Sequence, residues 1–270
     1  MPATTGPVTR QYLLRLAATA PEAFAVKHLG PALARLEASQ AIGAWYFERG
    51  ADTWALVCES TTRPGFANED PEREVLDLCC AVGMIDSWTA TAYLPPTYSA
   101  GGTAGLPAAR RWRHRDSRHV LAYLRAVRVD HLDDQRDELF VIHAAAAMAA
   151  AGLDRQGVAD AWSRIADTAP GGQWPTVSDD LVHTVGTLLA ASGPDSGPRH
   201  RAAWSEVHAD YGRAVADLHQ QGQLWLGRRT VLAAQLLSHA DRLGVTDPAR
   251  LAAAAATAAL GLAARTEAIR

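Results

Sequence analysis

From Ala108 to the C-terminus the apolar residues recur at helical spacing, while strand-type patterning is confined to the residues before it. A chain segregated in this way cannot build alternating β-α-β units. It is expected to form an α+β fold, with a small antiparallel sheet near the N-terminus and a predominantly helical C-terminal two-thirds. With 48% hydrophobic residues among 270, the sequence can bury a sizeable core in one large domain or two closely packed ones. It reads as a single domain over 1–270, with a sheet-containing part at about 40–100 and a helical part at about 106–267.

Two helices are expected first, Val8 to Ala17 and Pro21 to Ala38, the latter with Leu29, Leu33 and Leu36 at helical spacing. The period then changes. Ala44 to Glu48 and Thr53 to Ser60 are aromatic and β-branched around Arg49-Gly50-Ala51-Asp52, which reads as a hairpin. A helix is expected over Asn68 to Val82, started by Asp70-Pro71-Glu72, and a third strand over Ser87 to Leu94. Pro95-Pro96 opens a loop through Gly101-Gly102 to Gly105, whose glycines imply unusual backbone angles. Helices follow at about 116–127, 134–151, 154–167, 176–191, 200–221, 225–243 and 247–266. Asp116-Ser117 reads as an N-cap, Asp247-Pro248 as an N-cap with Pro at the first helical position, and Ser192 to Pro198 as a flexible linker.

Several chemistries are excluded at this level. Lys27 is the sole lysine, which argues against Schiff-base and P-loop mechanisms. No nucleotide-binding glycine motif, nucleophile elbow or zinc-protease motif occurs. The ten histidines are scattered: His114 and His119, His131 and His143, and His200 and His208 lack ligand spacing, and His143, inside Phe140 to Met148, reads as a core residue. Cys58, Cys79 and Cys80 make neither a disulfide framework nor a zinc site. Neither a cofactor nor a metal is expected. A net charge of −3 builds no field for nucleic acid. The polar, Pro-containing N-terminus and the short Ala-rich runs at 144–151 and 252–259 suggest neither signal peptide nor membrane span, so a cytoplasmic location is expected.

Four segments, in order, carry a resemblance to one family. They are Trp45-Tyr46-Phe47-Glu48-Arg49 with Trp54-Ala55-Leu56-Val57; Tyr93-Leu94-Pro95-Pro96, Gly101-Gly102, Ala108-Ala109 and Asp116-Ser117; Glu138-Leu139 through Met148 to Leu153 and Trp162; and Gly222-Gln223-Leu224, Gly227-Arg228, Val231-Leu232-Ala233 and His239 to Gly244. Together they resemble the C-terminal domain of class I lanthipeptide dehydratases, also found as the stand-alone thiopeptide-type bacteriocin biosynthesis protein. The resemblance implies an enzyme acting on a leader-bearing precursor peptide, by one of two reactions. One eliminates glutamate from glutamylated Ser or Thr. The other joins two dehydroalanines in a formal aza-[4+2] cycloaddition, forming a macrocycle and a pyridine with loss of water and leader peptide.

The departures from the family pattern bear on that choice. Glutamate elimination needs cations for the departing carboxylate, and the family's arginine pair falls here near Ala55 and Val57. The usual asparagine of the last motif is Asp241, with Leu237 four before it, and the glutamate after Tyr-Pro is Pro96. The expected function is therefore a cofactor-independent thiopeptide pyridine synthase. The alternatives are an elimination component of a split dehydratase, or a non-catalytic leader-binding scaffold. Its partner would be an azole- and dehydroalanine-containing precursor, with further biosynthetic enzymes.

Such a reaction needs a group to take an amide proton, a donor for the carbonyl oxygen and an acid for departing water. At 3.6 residues per turn, Arg228, Gln235, His239 and Arg242 share a face of the helix over 224–244, with Ser238 beside them. His239, Ser238 and Asp241 are candidate acids and bases there. Tyr93 and Tyr98 flank the Pro/Gly loop as candidate donors. Arg228, Gln235, Arg242, Gly101 and Gly102 are candidate substrate contacts. Arg111 and Trp112, within the cluster Arg110, Arg111, Arg113, Arg115 and Arg118, are candidates for an acidic leader. The hairpin edge could instead add a peptide strand.

Overall fold

A computed structural model describes residues 8–16, 21–50, 53–60, 71–191 and 199–267, side chains of 199, 200 and 262–267 aside. The expected turn residues Ala51 and Asp52, the helix-start residues Asn68 to Asp70, and the linker Ser192 to Pro198 lie outside these residues. The chain forms two compact units. One comprises Met1–Pro95 with Arg113–Asp134, the other Pro96–Trp112 with Gln135–Arg270.

The first unit is built on a four-stranded antiparallel sheet of order β2-β3-β1-β4, from β1 (Val8–Leu16), β2 (Ile42–Arg49), β3 (Thr53–Ser60) and β4 (Ile85–Thr91). β1 corrects the helix expected over Val8 to Ala17. Its apolar residues fit either period, but Tyr12 and Leu14 are fully buried while Leu13 and Arg15 are exposed, an alternation of two. Pairing on both sides, Tyr12 with Leu56 of β3 and with Ala90 of β4, holds it extended. Local propensity yields to the two ladders.

One face of this sheet carries Tyr12, Leu14, Trp45, Phe47, Trp54, Leu56 and Cys58, all buried. Phe47 and Trp54 stack at 5.0 Å. Beside this core run α1 (Pro21–Phe24), a π turn over Ala25–Leu29, α2 (Gly30–Ala38) and α3 (Pro71–Ala81). Glu22 is nearly buried and takes both Arg49 (2.9 Å) and Arg128 (2.6 Å), so its charge is compensated twice. The cysteines are free, and burial pushes the Cys58 thiol up.

α4 (Leu106–Arg128) starts ten residues before the expected 116, which puts Asp116 and Ser117 in mid-helix, both fully buried, rather than at an N-cap. Its residues 106–112 belong to the second unit and 113–128 to the first. There Ser117 Oγ accepts the Phe47 backbone N–H (3.4 Å), and His114 Nδ1 lies 2.9 Å from the Trp45 carbonyl oxygen. These groups belong to the free side of β2, so the edge expected to add a peptide strand is already occupied by a helix at Trp45 and Phe47.

The second unit is helical: the start of α4, then α5 (Arg136–Ala150), α6 (Arg155–Ala166), α7 (Asp179–Ala191), α8 (Arg199–Gln220), α9 (Arg228–Leu243) and α10 (Pro248–Glu267). α5 packs on α8 and α6 on α10. The buried alanines 252–256 of α10 permit a close approach to α6, where Ala161, Trp162 and Ile165 are fully buried. The expected cap of α10 forms, with Asp247 accepting from Arg250 N–H (3.0 Å), and α6 is capped in the same way by Asp154, which accepts from Gly157 N–H (2.7 Å). Among the described residues no helix is long and apolar enough to cross a membrane.

Candidate functional site

In the first unit, the second face of the sheet is the open one. Leu13, Arg15, Ser87 and Thr89 are exposed on it, and Gln11, Ala55 and Thr91 are half-buried. The register lines up Tyr46, Val57, Gln11 and Thr91 in one row across the four strands. Tyr93 follows Thr91 at the same parity, just past the end of β4. Above this row the Tyr46 hydroxyl donates to the Tyr93 oxygen at 3.2 Å. Arg113 of α4, also buried, places its guanidinium carbon 5.5 Å from the Tyr46 ring centre and pairs with Glu48 at 3.5 Å. Burial, and then the hydrogen bond to Tyr93, push the Tyr46 phenol well above its ordinary value.

In the second unit, the loop from Pro96 is fixed by backbone bonds of Ala100, Gly101 and Gly102 to Pro96, Tyr98 and Thr97. Gly101 (φ 79°) and Gly102 (φ 110°) take the left-handed angles expected of them. Any Cβ on Gly102 would lie 2.7 Å from the Trp225 indole, which rests on that glycine while remaining 63% exposed. The backbone N–H of Trp225 donates to Gly101 O (2.8 Å), and the side-chain amide of Gln235, fully buried on α9, donates to Ser99 O (2.9 Å). Gln235 thus holds the loop. Tyr98 is 70% exposed.

The expected stripe on α9 is largely interior. Arg228 donates to the Ala151 carbonyl at the end of α5 (2.8 Å), a capping role. Arg242 is fully buried, donates to Ser238 Oγ (2.7 Å) and lies 4.8 Å above the Trp112 ring. Asp241 is exposed. His239 is fully enclosed, as are His143 of α5 and His208 of α8. The three rings meet: His143 Nδ1 is 3.2 Å from His239 Nε2, His143 stacks on His208 at 4.6 Å, and His208 meets His239 edge-on at 4.3 Å. Trp204 and Trp112 wall the cluster, the latter donating its indole N–H to His208 Nδ1 (3.4 Å).

The nitrogens of these three rings lie within 4.8 Å of one another, close enough to hold a metal ion, and this is the one such group among the described residues. The donor set fits poorly. The indole N–H occupies the His208 Nδ1 lone pair and leaves its proton on Nε2. The group holds neither carboxylate nor thiolate to complete four ligands, and it is closed to water. It reads as a hydrogen-bonded and stacked core cluster.

Of the expected arginine cluster, Arg111, Arg115 and Arg118 are exposed at i, i+4 and i+7 along α4, Arg118 standing 3.8 Å from Glu37, while Arg110 is half-buried and Trp112 and Arg113 are buried. Trp112 stacks on Tyr211 at 4.9 Å. Sequence reasoning missed Tyr46, Glu48, His208 and Trp225 as site neighbours. For Tyr46 a signal existed, since it shares strand parity with Glu48.

No functionally curated protein matches this sequence. The fold is similar to that of the tRNA-dependent lantibiotic dehydratase MibB from Microbispora sp. 107891, at 17% identity and a TM-score of 0.72. That match covers 98% of this chain but only 29% of the dehydratase, so the chain spans less than a third of that protein. It is also similar to TsrL (16% identity, TM-score 0.62, 94% of each chain). A third likeness is to TbtD, the pyridine synthase from thiomuracin biosynthesis (15% identity, TM-score 0.62, 94% of this chain and 98% of that one). Residues 11–260 match the family described as lantibiotic biosynthesis dehydratase C-term, and the chain belongs to that family.

Proposed function

We propose that the chain is a thiopeptide pyridine synthase. It joins two dehydroalanines of a leader-bearing, azole-containing peptide in a formal aza-[4+2] cycloaddition, without a cofactor, in the cytoplasm. The fold is shared by a dehydratase and a pyridine synthase and favours neither reaction. The residues on the open sheet face carry the reading. Where carboxylate elimination needs a cationic clamp, β3 presents Ala55 and Val57, opposite Glu48 and Tyr46. Arg113, the guanidinium over the Tyr46 row, is matched by Glu48, and Arg15, exposed on the same face, stands four residues along β1 from Gln11 in that row. What the face offers is phenol: Tyr93, half-buried, with Tyr46 behind it.

A phenol suits the cycloaddition. The diene is the iminol tautomer of an amide, so a donor at the carbonyl oxygen favours it, and the same group can protonate departing water. Positioned acid–base groups contribute about 10²–10⁴-fold, and holding both alkenes in attack geometry can contribute effective molarities of order 10⁵ M or above. Tyr93 is the first donor in this reading, with Tyr98, Ser238 and Asp241 as further groups within reach of solvent. His239, enclosed in its cluster, supports α9 instead. Arg111, exposed, suits an acidic leader, and other enzymes of the same biosynthesis would supply the azoles and dehydroalanines.

Mass spectrometry of the protein with a leader-bearing peptide containing azoles and two dehydroalanines tests this. The expected product is lighter by the leader carboxamide and one water, with pyridine absorbance. An unchanged mass, together with glutamate loss from a glutamylated peptide, would move the chain to elimination.

A further inference from the structure

We propose that Tyr46 is a positioning residue that acts through Tyr93, the two phenols forming one proton-donating dyad on the open sheet face. The hydroxyls meet 3.2 Å apart although one belongs to an edge strand and the other follows the opposite edge strand. Their rings therefore arch over Val57 and Gln11, and each fixes where the other ends. Tyr46 is 5% exposed and Tyr93 only half-buried, so substrate can meet Tyr93 but not Tyr46.

The dyad has a direction. Tyr46 keeps its proton, because burial and the bond to Tyr93 both oppose its ionisation, with Glu48 adding to them and Arg113 opposing. The geometry makes Tyr46 the donor, so Tyr93 accepts with its oxygen and directs its own proton to another partner. When Tyr93 passes that proton to a carbonyl oxygen or departing water, its O–H bond breaks and negative charge collects on its oxygen. The Tyr46 hydroxyl already donates to that atom, and a hydrogen bond to a charged acceptor is roughly twice as strong as one to a neutral acceptor. Arg113, over the Tyr46 ring and anchored by Glu48, polarises the donating phenol. The Tyr46 hydrogen bond, with the Arg113 cation behind it, strengthens in the charged state, which is where a catalytic contact must strengthen.

The test is a double-substitution cycle, and its catalytic readout rests on the cycloaddition reading. Tyr46→Phe removes one oxygen and keeps the ring under Arg113. It is expected to lower kcat about tenfold, the effect of one hydrogen bond to a charged group, with KM little changed. Tyr93→Phe is expected to cost on the order of 100-fold. The double variant should be no slower than Tyr93→Phe alone, because Tyr46 has nothing left to act through. A tenfold Tyr46→Phe effect that persists in the Tyr93→Phe background would overturn the proposal, as would an unaffected kcat in an active enzyme. A wild-type protein without cycloaddition sinks the functional reading instead. In that event ¹³Cζ-tyrosine NMR still decides the dyad: Tyr46→Phe must move the Tyr93 resonance, and an unmoved resonance shows that the hydroxyls do not meet.

Discussion

His119 of α4 shows how a single side chain sets a pH response that no motif reveals. Burial holds its pKa below the usual imidazole range, Asp116 opposes that effect, and Arg115 and Arg118 add to it. A depressed folded-state value means that the unfolded chain binds the proton more readily. The group is neutral to stability well above pH 6.5 and becomes a cost as pH falls through that value toward the folded pKa. Urea unfolding at a series of pH values is expected to show wild type losing ground to His119→Gln as pH drops below about 6.5. A gap between the two that stays constant with pH would refute this assignment. His119 was visible in the sequence only as one of a pair without ligand spacing. The same holds for the enclosed cluster of His143, His208 and His239, whose members sit on three helices that only tertiary packing brings together. Tyr46 sits between Trp45 and Phe47 in an aromatic run, and its parity with Glu48 was the cue that it belongs to the other face of the strand. Gly101 and Gly102, by contrast, were legible from composition, because few residues other than glycine tolerate those angles.

At the scale of elements, the pairing of α5 and α8 depends on Gly212. A Cβ there would lie 2.1 Å from the Ala147 carbonyl oxygen and 3.1 Å from the Ala151 nitrogen, both backbone atoms. One turn before these contacts stand His208 and His143, which is why their rings can stack. In an exposed helix Gly→Ala stabilises by about 1 kcal/mol. Gly212→Ala is expected to do the reverse, destabilising by roughly 1–3 kcal/mol as the two helices are forced apart. Near-UV circular dichroism should change with it, through Trp204 and Trp112 around the cluster. A raised Tm would show that the helices do not approach as described. The helices of the C-terminal two-thirds were read correctly from periodicity because each buries one face at a 3.6-residue repeat. Two elements were misread for one shared reason: their sequences fit more than one local structure. β1 becomes a strand because β3 and β4 flank it. α4 begins at Leu106 because Asp116 and Ser117, good caps in isolation, are buried mid-helix, Ser117 serving the β2 backbone.

The whole molecule is threaded so that neither unit is one continuous stretch of chain. The helical unit borrows Pro96–Trp112 from upstream of a segment, Arg113–Asp134, that belongs to the sheet unit. What the borrowed stretch supplies is specific. Ser99 takes the Gln235 amide and Gly101 O takes the Trp225 backbone N–H, while Trp112 lies between Arg242, His208 and Tyr211. Gln235, Arg242 and His208 are all fully buried, so deletion of the stretch takes one hydrogen bond or ring contact from each and opens its site to water. A lost hydrogen bond costs about 1 kcal/mol, and with the apolar surface uncovered beside it the sum is large against the 5–15 kcal/mol that holds a domain together. A fragment of residues 135–270 is therefore expected to keep helical far-UV signal yet lose near-UV structure, bind hydrophobic dye and melt without a sharp transition. If that fragment instead unfolds cooperatively at the Tm of the full chain, the 96–112 stretch is a surface feature of the helices rather than part of their core.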